Sequence, residues 1–273
     1  MNGFYIGDII GSAYAHENES FNKRTKRFDL FNSRSKFSDD TILTFATIKW
    51  LMSSSLTSEN MFRIIKETYN NYPDTKPTMY GISFANWARA KSTTFRKSSG
   101  NGGAMRVSPI AYFASSIDEV DKLVEFAIRP THNTPNGILS AKIVAHSIYQ
   151  LLHGMNKKQL VEYLINTFNF NLKINTKAYM KNYTYTSDGL ETVKPALISF
   201  IESSSFEDSI RTSIAFGGDS DTICSITAAI AEAYYKKIPP QINKQAKGYL
   251  PNEFVLLLDD FNHYLNSLKI NKL

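Results

Sequence analysis

Apolar residues recur along this chain in stretches of helical length, with polar or glycine-bearing breaks between them. Positions 39–52 are apolar almost all round, through Ile42, Leu43, Phe45, Ala46, Ile48, Trp50 and Leu51, which predicts a buried helix. The stretch 58–72 is amphipathic and ends at Pro73. A shorter helix is predicted over 82–91, a polar glycine-bearing loop over 92–103, and helices over 104–115 and 117–128 with Pro130 as the breaker. The run 136–152 is strongly periodic; 157–168, 189–203 and 206–216 follow. The alanine- and isoleucine-rich 222–235 carries small residues that let neighbours approach closely, so it is expected at the centre. One or two further helices follow Pro239-Pro240 and Pro251. The segment 169–187 is polar and tyrosine-rich and reads as a long loop or lid. No repeat and no linker divides the chain. The reading is a single all-α domain over 1–273, a helical bundle with functional loops at one end.

Composition supports that reading. Of 273 residues 42% are apolar, enough for a sizeable core, while 13 glycines and 9 prolines are few for a turn-rich β architecture. The first residues lack the basic and apolar regions of a signal peptide, and no apolar stretch reaches transmembrane length. The one cysteine, Cys224, excludes an internal disulfide and fits a reducing compartment. A cytoplasmic protein without membrane contact is expected. Part of the formal charge of +6 comes from Lys23, Arg24, Lys26, Arg27, Arg34 and Lys36. That segment reads either as a solvated loop or as a basic rim steering an anionic substrate. It leaves nucleic acid a small place among the partners.

Two acidic clusters carry the chemistry: Phe37-Ser38-Asp39-Asp40-Thr41 and Gly217-Gly218-Asp219-Ser220-Asp221-Thr222. Each opens a helix-like run. Each alone reads equally as ordinary capping, because a helix N-terminus exposes N–H groups and a positive dipole end. Two such starts in one chain shift the balance toward a shared site. Four gathered carboxylates need cations, and all-oxygen ligands suit Mg²⁺ first, with Mn²⁺ or Ca²⁺ as alternatives. Two metals about 3.5–4 Å apart would hold and activate a water. A third motif, 98–106, is a glycine-rich loop entering a helix. It is either an anion site or a packing turn, and it matches neither a P-loop nor a dinucleotide fingerprint. His132, in Thr131-His132-Asn133-Thr134-Pro135, is either a capping histidine or one that stacks on a ligand. Asp8 lies in Gly7-Asp8-Ile9-Ile10-Gly11-Ser12, read as a small-residue turn, either behind the site or as another cap.

Together these residues resemble the ADP-ribosylglycohydrolases, a family that includes the dinitrogenase reductase-activating glycohydrolases and the ADP-ribosyl-acceptor hydrolases of animals. The markers run in order: 37–41, 101–110, 131–135 and 217–222. The resemblance implies an all-α orthogonal bundle, two Mg²⁺ ions and cleavage of the bond between ADP-ribose and an acceptor. It implies Ser38, Asp39, Asp40, Asp219, Asp221 and Thr222 as metal ligands, with Asp39, Asp40, Asp219 and Asp221 also shaping the catalytic geometry. Ser98, Ser99, Gly100, Asn101, Gly102 and Gly103 would wrap the diphosphate and distal ribose. His132 would lie toward the adenosine, and Tyr80-Gly81 in a further loop near the substrate.

The chain departs from relatives at three places. Tyr14 is followed by Ala15 where an acid is usual, and Glu17 or Glu19 would have to substitute; Glu17 is taken as the candidate for gating or acid–base work. Thr134 and Asn136 replace the usual residues of the histidine motif. The loop carrying Asp74-Thr75-Lys76-Pro77 is longer than usual. The expected activity is a monomeric Mg²⁺-dependent hydrolase acting on ADP-ribosylated protein, with arginine as first acceptor. The alternatives are an ADP-ribose reader or toxin-neutralising immunity protein with little turnover, and a hydrolase of serine-, acetyl- or base-linked ADP-ribose.

Overall fold

Three glycines spaced four apart decide how the first helix sits. In the computed structural model, which describes residues 1–15, 25–73, 79–91 and 93–270, helix α1 (Gly3–Ser12) packs against α12 (Ser220–Tyr235). A Cβ on Gly3, Gly7 or Gly11 would come within 2.3, 2.2 or 2.4 Å of the carbonyls of Ala228, Cys224 and Ser220. The two backbones therefore touch directly, with no room for a side chain between them. The stretch 7–12, expected as a turn, is thus helical; its small residues serve a helix contact rather than a bend. The same contact sets Asp8 beside the N-terminus of α12.

Among the described residues the rest of the molecule is helical too, and the all-α expectation holds. In chain order come α2 (Asp39–Leu51), α3 (Ser58–Asn71), α4 (Ile82–Arg89), a 3₁₀ turn (Ala104–Arg106), α5 (Ser108–Phe113), α6 (Ile117–His132) and α7 (Pro135–Leu152). Then follow α8 (Lys157–Phe168), α9 (Thr176–Asn182), α10 (Gly189–Glu202), α11 (Phe206–Phe216), then α12, α13 (Pro240–Lys247) and α14 (Asn252–Ile270). Helix α12 also packs on α7, α10 and α11, so it occupies the centre as its small residues predicted. One apolar cluster of buried residues runs from Phe4 to Leu265.

Three expectations need correction. The helix predicted over 104–115 is broken into the 3₁₀ turn and α5, with Val107 between them. Pro130 does not stop α6, which continues to His132. A proline leaves the carbonyl four residues earlier without its donor. Here that carbonyl, Phe126 O, accepts from Ser58 Oγ at 3.0 Å, so the helix survives. Pro195 sits inside α10 in the same way, with Glu191 O accepting from Tyr183 Oη. Finally, the irregular 169–187 contains α9, started by the Asn175 side chain accepting from Ala178 N. Glu17, Glu19, Lys23, Arg24 and 74–77 lie outside the described residues. No described helix is long and apolar enough to cross a membrane.

Candidate active site

The N-termini of α2 and α12 meet, and Asp8 of α1 is fastened beneath α2. Ser38 caps α2 by accepting from Asp40 N, which leaves Asp39 and Asp40 in the first turn. Before α12 the chain turns through Gly217 and Gly218 at φ +72 and +75, a region that side chains disfavour. That turn aims Asp219, Asp221 and Thr222 back at α2. Thr222 Oγ1 donates to Asp40 Oδ2 at 3.1 Å, joining clusters 182 residues apart in sequence. Asp8, Asp40 and Asp221 each offer a carboxylate oxygen within 4.8 Å of the others.

These acids differ in what they have left to give. Asp8 is saturated: it accepts from Ser38 N (2.8 Å), Ser38 Oγ (2.7 Å), Thr41 N (3.1 Å) and Thr41 Oγ1. It therefore holds the start of α2 in place, the capping role left open from the sequence. Asp40 is buried, and its Oδ1 has no hydrogen-bond partner. Ser38 Oγ is turned toward Asp8 and Asp40. Asp219 accepts from Asn101 Nδ2 at 2.6 Å, which ties the glycine loop to the second cluster.

Crowding of acids shows in their proton affinities. Burial, then the charge of Asp221, raises Asp8 to about 7 despite its hydrogen bonds. Burial, then Asp8, Asp221, Asp39 and Asp219, raises Asp40 well above the usual carboxylate range. Asp219 is raised by burial and then by Asp221, with the Asn101 bond opposing. A bare buried oxygen among acids that resist ionisation fits a cation, and an all-oxygen donor set fits a hard one.

The acids border a cavity of about 540 Å³. Asp39, Asp219, Asp221 and Thr222 line it, together with Ser98, Gly100, Asn101, Gly102, His132, Tyr80 and Gly81. Ser99 and Gly103 are not on its wall. Ser99 Oγ is 2.9 Å from Thr134 Oγ1, and Gly103 packs on His132 and Ile128. Thr134, the departure in the histidine motif, caps α7 through Gly137 N and donates to Ser98 O at 2.7 Å, so it steadies the loop from behind. The loop is also pinned along its edge: Asn101 N donates to Ser187 O and Gly189 N to Ser99 O, each at 2.8 Å.

The same cavity wall also carries cations. Arg106 is fully buried, and it donates to Gly102 O, Ala127 O and Thr131 Oγ1. Burial and the neighbouring Arg96 lower it to about 9. His132 is held neutral by burial, then by Arg106 and Arg96. Both arginines reach the cavity wall, as does Tyr185, half-exposed at the mouth. Burial raises Tyr185 to about 12, with Asp219, Asp221 and Asp39 adding to the shift, so its hydroxyl stays protonated near the acids. Sequence alone singles out His132 but not Arg96, Arg106 or Tyr185. Arg106 stood inside a marker motif; Tyr185 fell in an irregular stretch with no periodicity to mark it.

The protein-family model described as ADP-ribosylglycohydrolase matches residues 1–265. Among curated proteins the chain is similar to ADP-ribosylhydrolase ARH3 of Mus musculus, at 23% identity over 91% of this chain and 86% of that protein. It is also similar to ADP-ribosylhydrolase ARH3 of Homo sapiens, at 24% identity over 91% of this chain and 88% of that one. A solved structure described as an ADP-ribosylglycohydrolase-related protein complex shares its fold, with a TM-score of 0.68 and 18% identity over 90% of this chain and 92% of that one.

Proposed function

Because this chain belongs to the ADP-ribosylglycohydrolase family, hydrolases of ADP-ribosyl glycosidic bonds, we propose that it removes ADP-ribose from a modified protein side chain with the help of Mg²⁺. The acceptor proposed first is arginine. The observation that carries this reading is the make-up of one cavity wall, which brings together acids, a glycine loop, two guanidiniums and a neutral imidazole. ADP-ribose has matching chemistry: an anionic diphosphate in its middle and ribose hydroxyls at the bond to be cut.

In this reading Asp40 Oδ1, Asp219, Asp221 and Thr222 hold the metal, with Asp39 facing the cavity beside them. Bound Mg²⁺ would supply Lewis-acid polarisation of a water and of the ribose hydroxyls. Asp39 takes the proton from the attacking water. Asn101 keeps Asp219 aimed, and Asp8 keeps Ser38 and Thr41 at the start of α2. Loop N–H groups other than those of Gly100 and Asn101, which are engaged by Ser98 Oγ and Ser187 O, meet the diphosphate. Mn²⁺ fits the same oxygen ligands.

The test is release of free ADP-ribose from arginine-, serine- and base-linked substrates, in Mg²⁺ or in EDTA. Release from the arginine conjugate that EDTA abolishes supports the reading; release only from another conjugate overturns the acceptor and keeps the reaction. A second reading rests on Ala15, which stands where relatives carry an acid: a reader that binds ADP-ribose without turnover. Tight binding with no release from any conjugate would establish the reader and overturn the hydrolase.

A further inference from the structure

Thr131 and His132 end α6 directly beneath the glycine loop, and Arg106 connects the two. Arg106 Nη2 donates to Thr131 Oγ1 at 2.6 Å, and its Nη1 donates to Gly102 O at 2.5 Å. A guanidinium only donates, so Thr131 Oγ1 is an acceptor in that contact. The hydroxyl proton then has two destinations: His132 Nδ1 at 2.7 Å, or Ile128 O at 3.5 Å. The second is outside the usual O–H···O range. The adjacent positive charge also polarises the hydroxyl, making it a stronger donor and a poorer acceptor for an Nδ1–H.

We propose that Thr131, oriented by Arg106, fixes His132 as its Nε2–H tautomer, so that the imidazole presents a hydrogen-bond donor to a phosphate oxygen held under the glycine loop. This deepens the ADP-ribose reading above and rests on it. His132 lines the cavity, and its Nε2 would be 3.4 Å from a Cβ on Gly102 and 3.8 Å from one on Gly100. The ring therefore forms the floor on which the loop lies. Because the imidazole is neutral, its tautomer decides whether Nε2 donates to an anion or turns a lone pair toward it. Thr131 acts through His132 and is a positioning residue. Arg106 serves both sides, since one guanidinium holds the loop carbonyl and the threonine that orients the ring.

The test is long-range ¹H–¹⁵N correlation of the imidazoles in the full chain, with and without ADP-ribose, the His132 signals being assigned by their loss in His132→Asn. The expected result is a protonated Nε2 and a bare Nδ1. Thr131→Val removes the hydroxyl and keeps the shape. It should release the tautomer and weaken ADP-ribose binding about tenfold by calorimetry, the size of one net hydrogen bond. Thr131→Ser should restore both, which a loss of packing alone would not explain. If the valine variant does not fold, the parent spectrum and the serine variant still decide. An Nδ1–H tautomer in a parent that binds ADP-ribose overturns this inference alone, as does parental affinity in a folded Thr131→Val. A parent that does not bind ADP-ribose overturns the wider reading, and the donor role with it.

Discussion

Replacing Asp8 with asparagine should flatten the pH dependence of stability in the metal-free protein. Asp8 is fully buried, and its pKa is raised from 3.8 to about 7, first by burial and then by Asp221. An acid whose folded pKa is raised binds more protons folded than unfolded between those two values, so stability falls as pH rises through that window. Integrated from pH 5 to pH 8, Asp8 alone costs the parent about 3 kcal/mol. Asparagine cannot titrate, so it escapes that loss. His132 and His146, whose lowered pKa values act in the opposite sense below the usual histidine range, are present in both proteins and cancel in the difference. For a chain of this size the loss corresponds to a change of about 5–10 °C in the gap between the two melting temperatures. The assay is calorimetric melting of parent and Asp8→Asn in EDTA from pH 5 to pH 8. The asparagine variant starts lower, because its amide NH₂ cannot accept from the donors that Asp8 engages, and it gains on the parent as pH rises. Saturating Mg²⁺ should lift the parent most at pH 8, where protons compete least for the acids. Parallel melting curves across the range in EDTA would refute the reasoning.

Asn101→Ala removes the 2.6 Å bond that aims Asp219 and should lower kcat/KM by about 10–100-fold while raising the Mg²⁺ concentration needed for half-activity, both read from steady-state kinetics. Gly7→Ala drives a Cβ to 2.2 Å from Cys224 O and should lower the melting temperature by about 5 °C or more or abolish soluble expression. Gly81→Ala, with nothing within 4 Å of its Cβ, should melt as the parent does. Glu17→Gln should lower turnover by about 10²–10⁴-fold, with ADP-ribose affinity largely kept, if Glu17 does acid–base work; equal rates for variant and parent would remove it from the mechanism.

The parts of this molecule that depend on near neighbours were open to reading from sequence. Helices α2, α7, α8 and α11 follow from local apolar periodicity, and the expected bounds fall within a residue or so of those observed. The paired acids could be located because helix starts announce themselves by composition. What escaped was decided by distant partners. Pro130 ought to end a helix, and does not, because Ser58 supplies a donor from 68 residues away. Gly7 and Gly11 ought to make a turn, and instead bury themselves on a helix more than 200 residues later. Arg106 ought to be exposed, yet it is walled in where it braces both the loop and Thr131. Asp8 unites these cases. Nothing around it in sequence says which of its possible roles it takes, but the glycine contact with α12 carries it to the start of α2, where four donors engage it. The close approach of α1 to α12 is thus a condition of the site as well as of the core. It gathers the acids of two distant segments and accepts their mutual repulsion, which a cation among them would offset.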